Sequence, residues 1–529
     1  MVSTFHGLEV AKRGMYAQQT ALSTVGHNVA NANTPGYTRQ RVDFQTTTPF
    51  PTPSLNRPQI PGQLGTGVEA GAIERVRDSF IDSQYRGENN KLGYWETKSQ
   101  ALSSLEVIMN EPTEQGLANT LDEFWQSLQN LSVSPQDSGT RSVVRQSGQS
   151  VAETFNYLSN SLSAVREDYR AEIDVTQKSV NTIIGQINEI NQQIAATEVH
   201  GYLPNDLYDQ RDLLVDDLSS YVNIIVKPQD SGGLSVPSAV GKYDIYLADQ
   251  NGIIMKDGSG NDLLLVNSRD DKVSGIQIDY DANSVKGVKL VEMEADGQFM
   301  ANEVNIDVET YLGNANGSLR AYIEAYGYQT GGTEKGIYTD MISNLDAMAT
   351  TFAKKFNEIH QAGWSLSELK NGVKESKTFF DLSDPASIGA SKAISLHRDI
   401  ISSVDNIAAS GEQGGESYSG SGANALALAN LKDEMLNYAG TDTSVTSFYQ
   451  SLIGDMGVQA LQANQMTDNT NILRDSVLTR RESVSSVSLD EEMVNMIQYQ
   501  HAYNAAARQI TMVDEMLDRI INGMGVGGR

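Results

Sequence analysis

Apolar residues recur in steps of three and four through most of this chain, and in steps of two only in its middle. Near the start, Leu8, Ala11, Met15, Gln18, Leu22, Val25 and Val29 alternate these steps, which predicts a helix capped by Ser3 and running to about Asn31. The stripe is a heptad seam, so it needs a partner helix along its length of about 42 Å. At the far end Leu489, Met493, Met496, Gln500, Tyr503, Ala507, Ile510, Leu517 and Ile521 keep the same spacing, with Asp514 as a misfit. Ile497 sits beside that seam. The longest pattern runs from Val151 to Ile194 through Leu158, Tyr169, Val180, Ile183 and Ile190, with one stutter between Tyr169 and Ile173. That segment alone predicts a rod about 66 Å long, which requires antiparallel neighbours.

The period changes near Tyr221. VNIIV, YDIYLA, LLLV and GIQIDY are short strand-like runs, punctuated by Gly232-Gly233, Asn251-Gly252, Asp257-Gly258 and Asp296-Gly297. The predicted class is therefore mainly α with an inserted all-β portion (α+β): terminal coiled-coil helices, an elongated helical bundle and a β-rich outer domain. Residues 1–45 with 488–529 form the terminal helical layer, and residues 77–221, 317–364 and 423–487 form the bundle. Residues 222–316 form the β insert, and residues 365–422 a mixed, loop-rich segment that closes in GEQGGESYSGSG. Between the first helix and the bundle, TRQRVDFQTTTPF reads as extended, and PTPSLNRPQIPG crowds in prolines.

Charge narrows the partners. With 67 acidic and 39 basic residues the net charge is −28, which repels nucleic-acid phosphates and anionic lipid. No apolar run approaches bilayer length, and Glu9, Lys12 and Arg13 interrupt any signal-peptide core, so the expectation is neither a membrane span nor a cleavable leader. There is no cysteine, which removes disulfides and thiolate chemistry.

The six histidines are scattered, without HExxH or His-x-His spacing, and no nucleophile elbow or phosphate loop appears. DGSGND at 257–262 echoes a calcium loop, but its position between strands favours a hairpin turn. The terminal GMGVGG lacks the strand and helix that a dinucleotide site needs. No catalytic site, metal or cofactor is expected. The Met-rich C-terminal helix reads as packing, because methionine fills irregular interfaces.

One short segment carries more chemistry than a helix stop requires. NVANANTPGY at 28–37 ends the first helix, with Pro35 blocking continuation and Gly36 allowing positive φ. Neither explains the amides Asn28, Asn31 and Asn33, which each offer a donor and an acceptor.

That segment resembles the signature of the axial proteins of the bacterial flagellum, the rod, hook and hook-associated proteins. Leu8, Gln18, Gln19, Leu22, Asn28, Ala30, Asn31, Thr34, Gly36 and Tyr37 occupy its places. A second motif at the other end, VSLDEEMVNMIQYQHAYNAAARQI, is matched by Leu489, Met493, Met496, Ile497, Gln500, Tyr503 and Ile510. The TRQRVDF continuation, the chain length and the long helical bundle are most similar to the hook-associated branch.

The resemblance implies a structural adaptor between hook and filament that forms a ring of copies around an export channel. It implies an extracellular location in the flagellum, reached without a cleavable signal peptide. Implied partners are the hook protein, a second hook-associated junction protein and an export chaperone. The implied assembly interface comprises Leu8, Met15, Gln18, Leu22, Val25, the turn from Asn28 to Tyr37, and the seven C-terminal residues just named. Two other roles fit less closely: a hook or distal rod protein, or an enzyme or adhesin carried by the β insert.

Overall fold

The computed structural model describes residues 5–52, 62–109, 116–294, 297–382, 389–412, 417–438 and 440–523. Ser3, the prolines at 53, 58 and 61, Asp296, the centre of the Gly-rich loop at 413–416 and the terminal GVGG all lie outside that range.

The first helix, α1 (Phe5–Asn31), leads into an antiparallel hairpin of β1 (Gln40–Thr46) and β2 (Val68–Arg75). The long helices follow: α2 (Ser79–Met109), α3 (Leu117–Val133), α4 (Ser138–Glu198) and α5 (Asn205–Tyr221). The Asp137 carboxylate caps α4 by accepting from the Thr140 amide at 2.9 Å. With 61 residues, α4 is about 90 Å long and forms the spine of the molecule.

Strands β3 (Ile224–Gln229), β4 (Lys242–Leu247), β5 (Leu264–Asn267), β6 (Lys272–Tyr280), β7 (Val285–Met293) and β8 (Phe299–Asp307) come next. Then follow α6 (Val308–Asn314), α7 (Ser318–Tyr326), the hairpin β9 (Tyr328–Thr330) and β10 (Thr333–Lys335), and α8 (Ile337–Ala362). Short helices and two-stranded ladders fill 364–443 before α9 (Val445–Ser485) and α10 (Leu489–Gly523) close the chain.

The sheet order is β10-β9-β7-β6-β5-β4-β3, with β8 also on β7, and its pairs are antiparallel apart from a single parallel contact of β7 with β9. The expected β boundary at residue 316 is therefore corrected: β9 and β10 belong to the sheet although they lie beyond it. Three-residue strands around Gly331 and Gly332, both at positive φ, are too short to show alternation.

The seam of α4 follows expectation through Val151, Phe155, Leu158, Leu162, Tyr169, Ile173 and Val180, all buried. Beyond Val180 it rotates, so that Ile184, Ile187 and Asn191 face inward while Ile183 and Ile190 are half-buried. There α4 meets the sheet as well as α5, whose Arg211 donates to Asn191 Oδ1 at 3.0 Å. Asn181 both donates to Ile276 O (2.8 Å) and accepts from Ile276 N (2.7 Å), and Gln177 accepts from Ile278 N at 2.9 Å. Asn191 makes the same two-way contact with Tyr243, each bond 3.0 Å. Side-chain amides of one helix thus pair the backbone that β5 and its loops leave open on β6 and β4.

At the other end of α4, Phe124, Trp125, Phe352, Phe356, Phe379 and Phe380 interlock with ring centroids 4.9–6.5 Å apart. No described helix is long and apolar enough to cross a membrane.

Candidate assembly site at the paired terminal helices

Helix α10 packs antiparallel on α1, with Glu492 beside Asn28 at one end and Val513 beside Gly7 at the other. On its second side α1 lies against β1 and β2, where Ala11, Ala17, Ala21 and Val25 are buried. Leu8, Met15, Gln18 and Leu22 are half-buried, whereas Val29 is exposed and Asn28 takes the inward place.

The least exposed positions of α10 are Glu492, Asn495, Tyr499, Ala502, Tyr503, Ala506, Ala507, Ile510, Val513 and Leu517. Tyr503, Ala507, Ile510 and Leu517 belong to the expected seam. Leu489, Met493, Met496, Ile497 and Gln500 do not pack in the chain; they face outward. Glu492, held inward by Arg39 and Asn28, fixes which face of α10 meets α1: Met496, one turn on, borders that face, and Met493 lies about 100° round the helix from Glu492. Val494, Met512 and Met516 are exposed as well, so α10 is apolar on sides that none of the described residues covers.

The turn after α1 is built around one amide. Asn28 Nδ2 donates to Gln40 O (2.8 Å) and to Glu492 Oε2 (3.2 Å). Its Oδ1 accepts from the Tyr37 hydroxyl (2.8 Å) and from Gln40 N (3.0 Å), which uses every bond the side chain can make. Burial, together with Asp206, Asp209 and Glu492, pushes the Tyr37 phenol up, which keeps its proton in place for that bond. Arg39 grips the start of α10 through Glu492 Oε1 (2.8 Å) and Glu491 Oε2 (2.7 Å). Those carboxylates also suit the positive end of the helix dipole.

Asn28 and Tyr37, expected at an inter-subunit contact, form a latch within the chain. Asn31 likewise bonds to its own helix, through His27 O at 3.1 Å, and to Thr34 Oγ1 at 3.2 Å. Asn33, Thr34, Pro35 and Gly36 are exposed and border a cleft of about 470 Å3 with Leu213 and Arg481. Gly36 has φ 78°.

Replacing Asn28 with Ala would leave the amide and carbonyl of the buried Gln40 without their side-chain partner. The expected result is a local loss of about 2 kcal/mol, read as faster amide exchange in α1 and α10 with α3 and α4 unchanged. Unchanged exchange in α1 would show that the latch contributes nothing.

A second feature escaped the sequence reading: a buried ion-pair node directly behind the turn. Asp212 accepts from Arg75 (2.8 Å), Arg77 (3.0 Å) and Arg86 (3.3 Å). Asp216 pairs with Arg86 and Arg481, each at 2.7 Å, and Asp82 pairs with Arg77 (2.6 Å) and Arg481 (3.1 Å). Asp209 pairs with Arg75 at 2.9 Å and accepts from Thr38 N at 3.0 Å. Burial pushes the Asp212 carboxyl up, but Arg77, Arg75, Arg86 and Arg211 outweigh it and hold the group well below the usual carboxylate range.

The node joins the hairpin, α2, α5 and α9, so it fixes the terminal layer on the bundle. Its signal lay in the sequence: Asp209, Asp212 and Asp216 are spaced for one helix face, opposite an Arg-x-Arg at 75–77.

At 257–262 the expected hairpin turn is present. Asp257 accepts from the amides of Ser259 and Asn261, both at 2.8 Å, which occupies the carboxylate within the turn. Among the described residues no cluster of His, Asp and Glu is arranged to hold a metal ion.

The family model for the flagellar hook-associated protein FlgK helical domain matches residues 102–380. The ends match models for the flagella basal body rod protein (8–38) and the flagellar basal body rod FlgEFG protein C-terminal region (481–523). Flagellar hook-associated protein 1 of Bacillus subtilis is 44% identical over 534 residues, covering 100% of both chains. The chain belongs to the flagellar hook-associated protein 1 family.

Family members from Salmonella typhimurium and Escherichia coli are 24% and 23% identical, over 97% of this chain and 98% of each relative. The solved flagellar hook junction protein FlgK from Burkholderia pseudomallei shares the fold, with TM-score 0.60 and 14% identity, over 76% of this chain and 100% of that one. Hook-associated protein 1 is a hook–filament junction protein, so this family member has a structural role in the flagellar axis.

Proposed function

We propose that copies of this chain assemble into a ring that adapts the hook to the filament and surrounds a central export channel. The observation that carries the reading is α10, which packs on α1 and leaves Leu489, Met493, Met496 and Ile497 uncovered. A heptad-patterned helix with apolar residues on several sides is stable in water when neighbouring helices cover them. In the ring the α1–α10 pair is the innermost layer, the bundle surrounds it, and the sheet faces outward. Asn33, Thr34, Pro35 and Gly36, open beside their cleft, meet a neighbouring copy.

The partners are the hook protein below, a second hook-associated junction protein above, and an export chaperone before assembly. The chain is exported to the outside of the cell, and its role there is mechanical. A strain lacking this chain is expected to build hooks but shed filament subunits into the medium instead of polymerising them. Filaments of normal length on that strain would overturn the junction role.

A further inference from the structure

The methionines of α10 are more exposed than a packing role within the chain allows. Met493, Met512 and Met516 are 58%, 60% and 50% exposed, and Met496 37%, whereas Met109 and Met348 in the bundle are at 1% and 0%. Elsewhere Met300 on β8 and Met435 near residue 436 reach 40% and 65%, away from the terminal helices. Four of the six methionines exposed by more than a third, among the described residues, therefore lie on α10, beside the exposed Leu489, Val494 and Ile497.

We infer that Met493, Met496, Met512 and Met516 form a peroxide-sensitive modification site that sets whether a free chain can assemble. The inference rests on the ring reading above, in which these thioethers become covered.

The chemistry needs only a hydroperoxide. A lone pair on Sδ attacks one peroxide oxygen, the O–O bond breaks and an S–O bond forms. The departing oxygen takes the proton and leaves as water or an alcohol. The sulfur is oxidised by two electrons, the peroxide is reduced by two, and the product is methionine sulfoxide. The flexible apolar side chain then carries a strong acceptor. Burying that oxygen against Leu, Ile and Ala without a donor costs about tenfold in association for each site. Once the ring has closed the same atoms are out of reach, so sensitivity is confined to the unassembled chain.

The test uses full-length purified chain, hydrogen peroxide, and two readouts: sulfoxide at each methionine by peptide mass spectrometry, and chain retained in self-assembled particles or on isolated hooks. The free chain is expected to oxidise at the four α10 positions and at Met300 and Met435 well before Met109 and Met348. Its assembly should fall at least tenfold and return after methionine sulfoxide reductase treatment.

In a variant carrying Leu at 493, 496, 512 and 516, the ratio of treated to untreated assembly should stay near one although Met300 and Met435 are oxidised. If that variant fails to assemble, footprinting decides. The four sites should be protected in assembled native chain while Met300 and Met435 are not, and equal oxidation in free and assembled chain overturns the site. Full assembly by oxidised native chain also overturns it while leaving the ring reading intact. Failure of untreated native chain to assemble removes the ring reading and this site with it.

Discussion

Replacing Asp212 with Asn is expected to destabilise the joint between the terminal layer and the bundle by about 3–5 kcal/mol, the cost of removing one partner from a buried ion pair. Asp212 accepts from three guanidiniums and from the Tyr243 hydroxyl, and none of these donors can turn to water. A neutral amide of the same size keeps the packing, so the loss is electrostatic: Arg75, Arg77 and Arg86 remain buried with less opposing charge. Urea unfolding should begin at a lower concentration, and amide exchange should rise first in α5 and the hairpin.

The matched control is Asp217→Asn, five positions along the same helix and exposed, which should stay within about 0.5 kcal/mol of the parent. A D212N chain as stable as D217N would mean that the node is mutually compensating and holds nothing. The pH sign follows from the depressed Asp212 carboxyl. Its stabilisation is whole above about pH 4, where unfolded aspartate ionises, and is lost as the pH falls below that value.

The second large effect sits in a different window. His360 is buried behind Phe379, its Nδ1 2.8 Å from Lys377 O and its Nε2 accepting from Ala408 N at 3.0 Å. That geometry fits a neutral ring protonated on Nδ1. Burial pulls the imidazole down to about 4. The unfolded chain takes up the proton near pH 6.5, so stability is complete above that value and declines as the pH falls towards 4. The total loss is about 3 kcal/mol.

Urea titrations at pH 7.5, 5.5 and 4.5 should show this slope in the native chain. His360→Gln should flatten it between pH 6.5 and 5, whatever it does to stability at pH 7.5. Parallel slopes would assign the acid sensitivity to the carboxylates.

The helical framework was legible in the sequence because long helices repeat their pattern many times, as α4 does from Val151 to Val180. What the pattern could not carry was a change of neighbour within one helix. Beyond Val180 the sheet joins α5 as a partner, and Asn181 and Asn191 make backbone bonds that an apolar count scores as surface. The same limit explains α10. Spacing alone chose Met493 and Met496 as the packed seam, whereas Glu492, held by Arg39, lies at the centre of the face that meets α1.

In the turn, the number of amides was informative and their direction was not. Asn28 closes a contact inside the chain, while Asn33 faces out. The node was readable on α5 as three spaced aspartates, but its arginines come from β2, the following loop, α2 and α9, and only the fold brings them together.

The pairing of α1 with α10 has a consequence for the order of events in folding. Asn28 and Glu492 are 464 residues apart, and α2 packs chiefly on α9, where Ser99 bonds to Asn464 across 365 residues, whereas α3 meets α4 and α4 meets α5 as near neighbours in the chain. Near contacts close quickly, and distant ones wait for the chain between them to become compact. The segment from α3 to α5 and the sheet therefore form first, and both the α2–α9 and the α1–α10 contacts wait for the end of the chain. The terminal layer is among the last parts of the molecule to become structured.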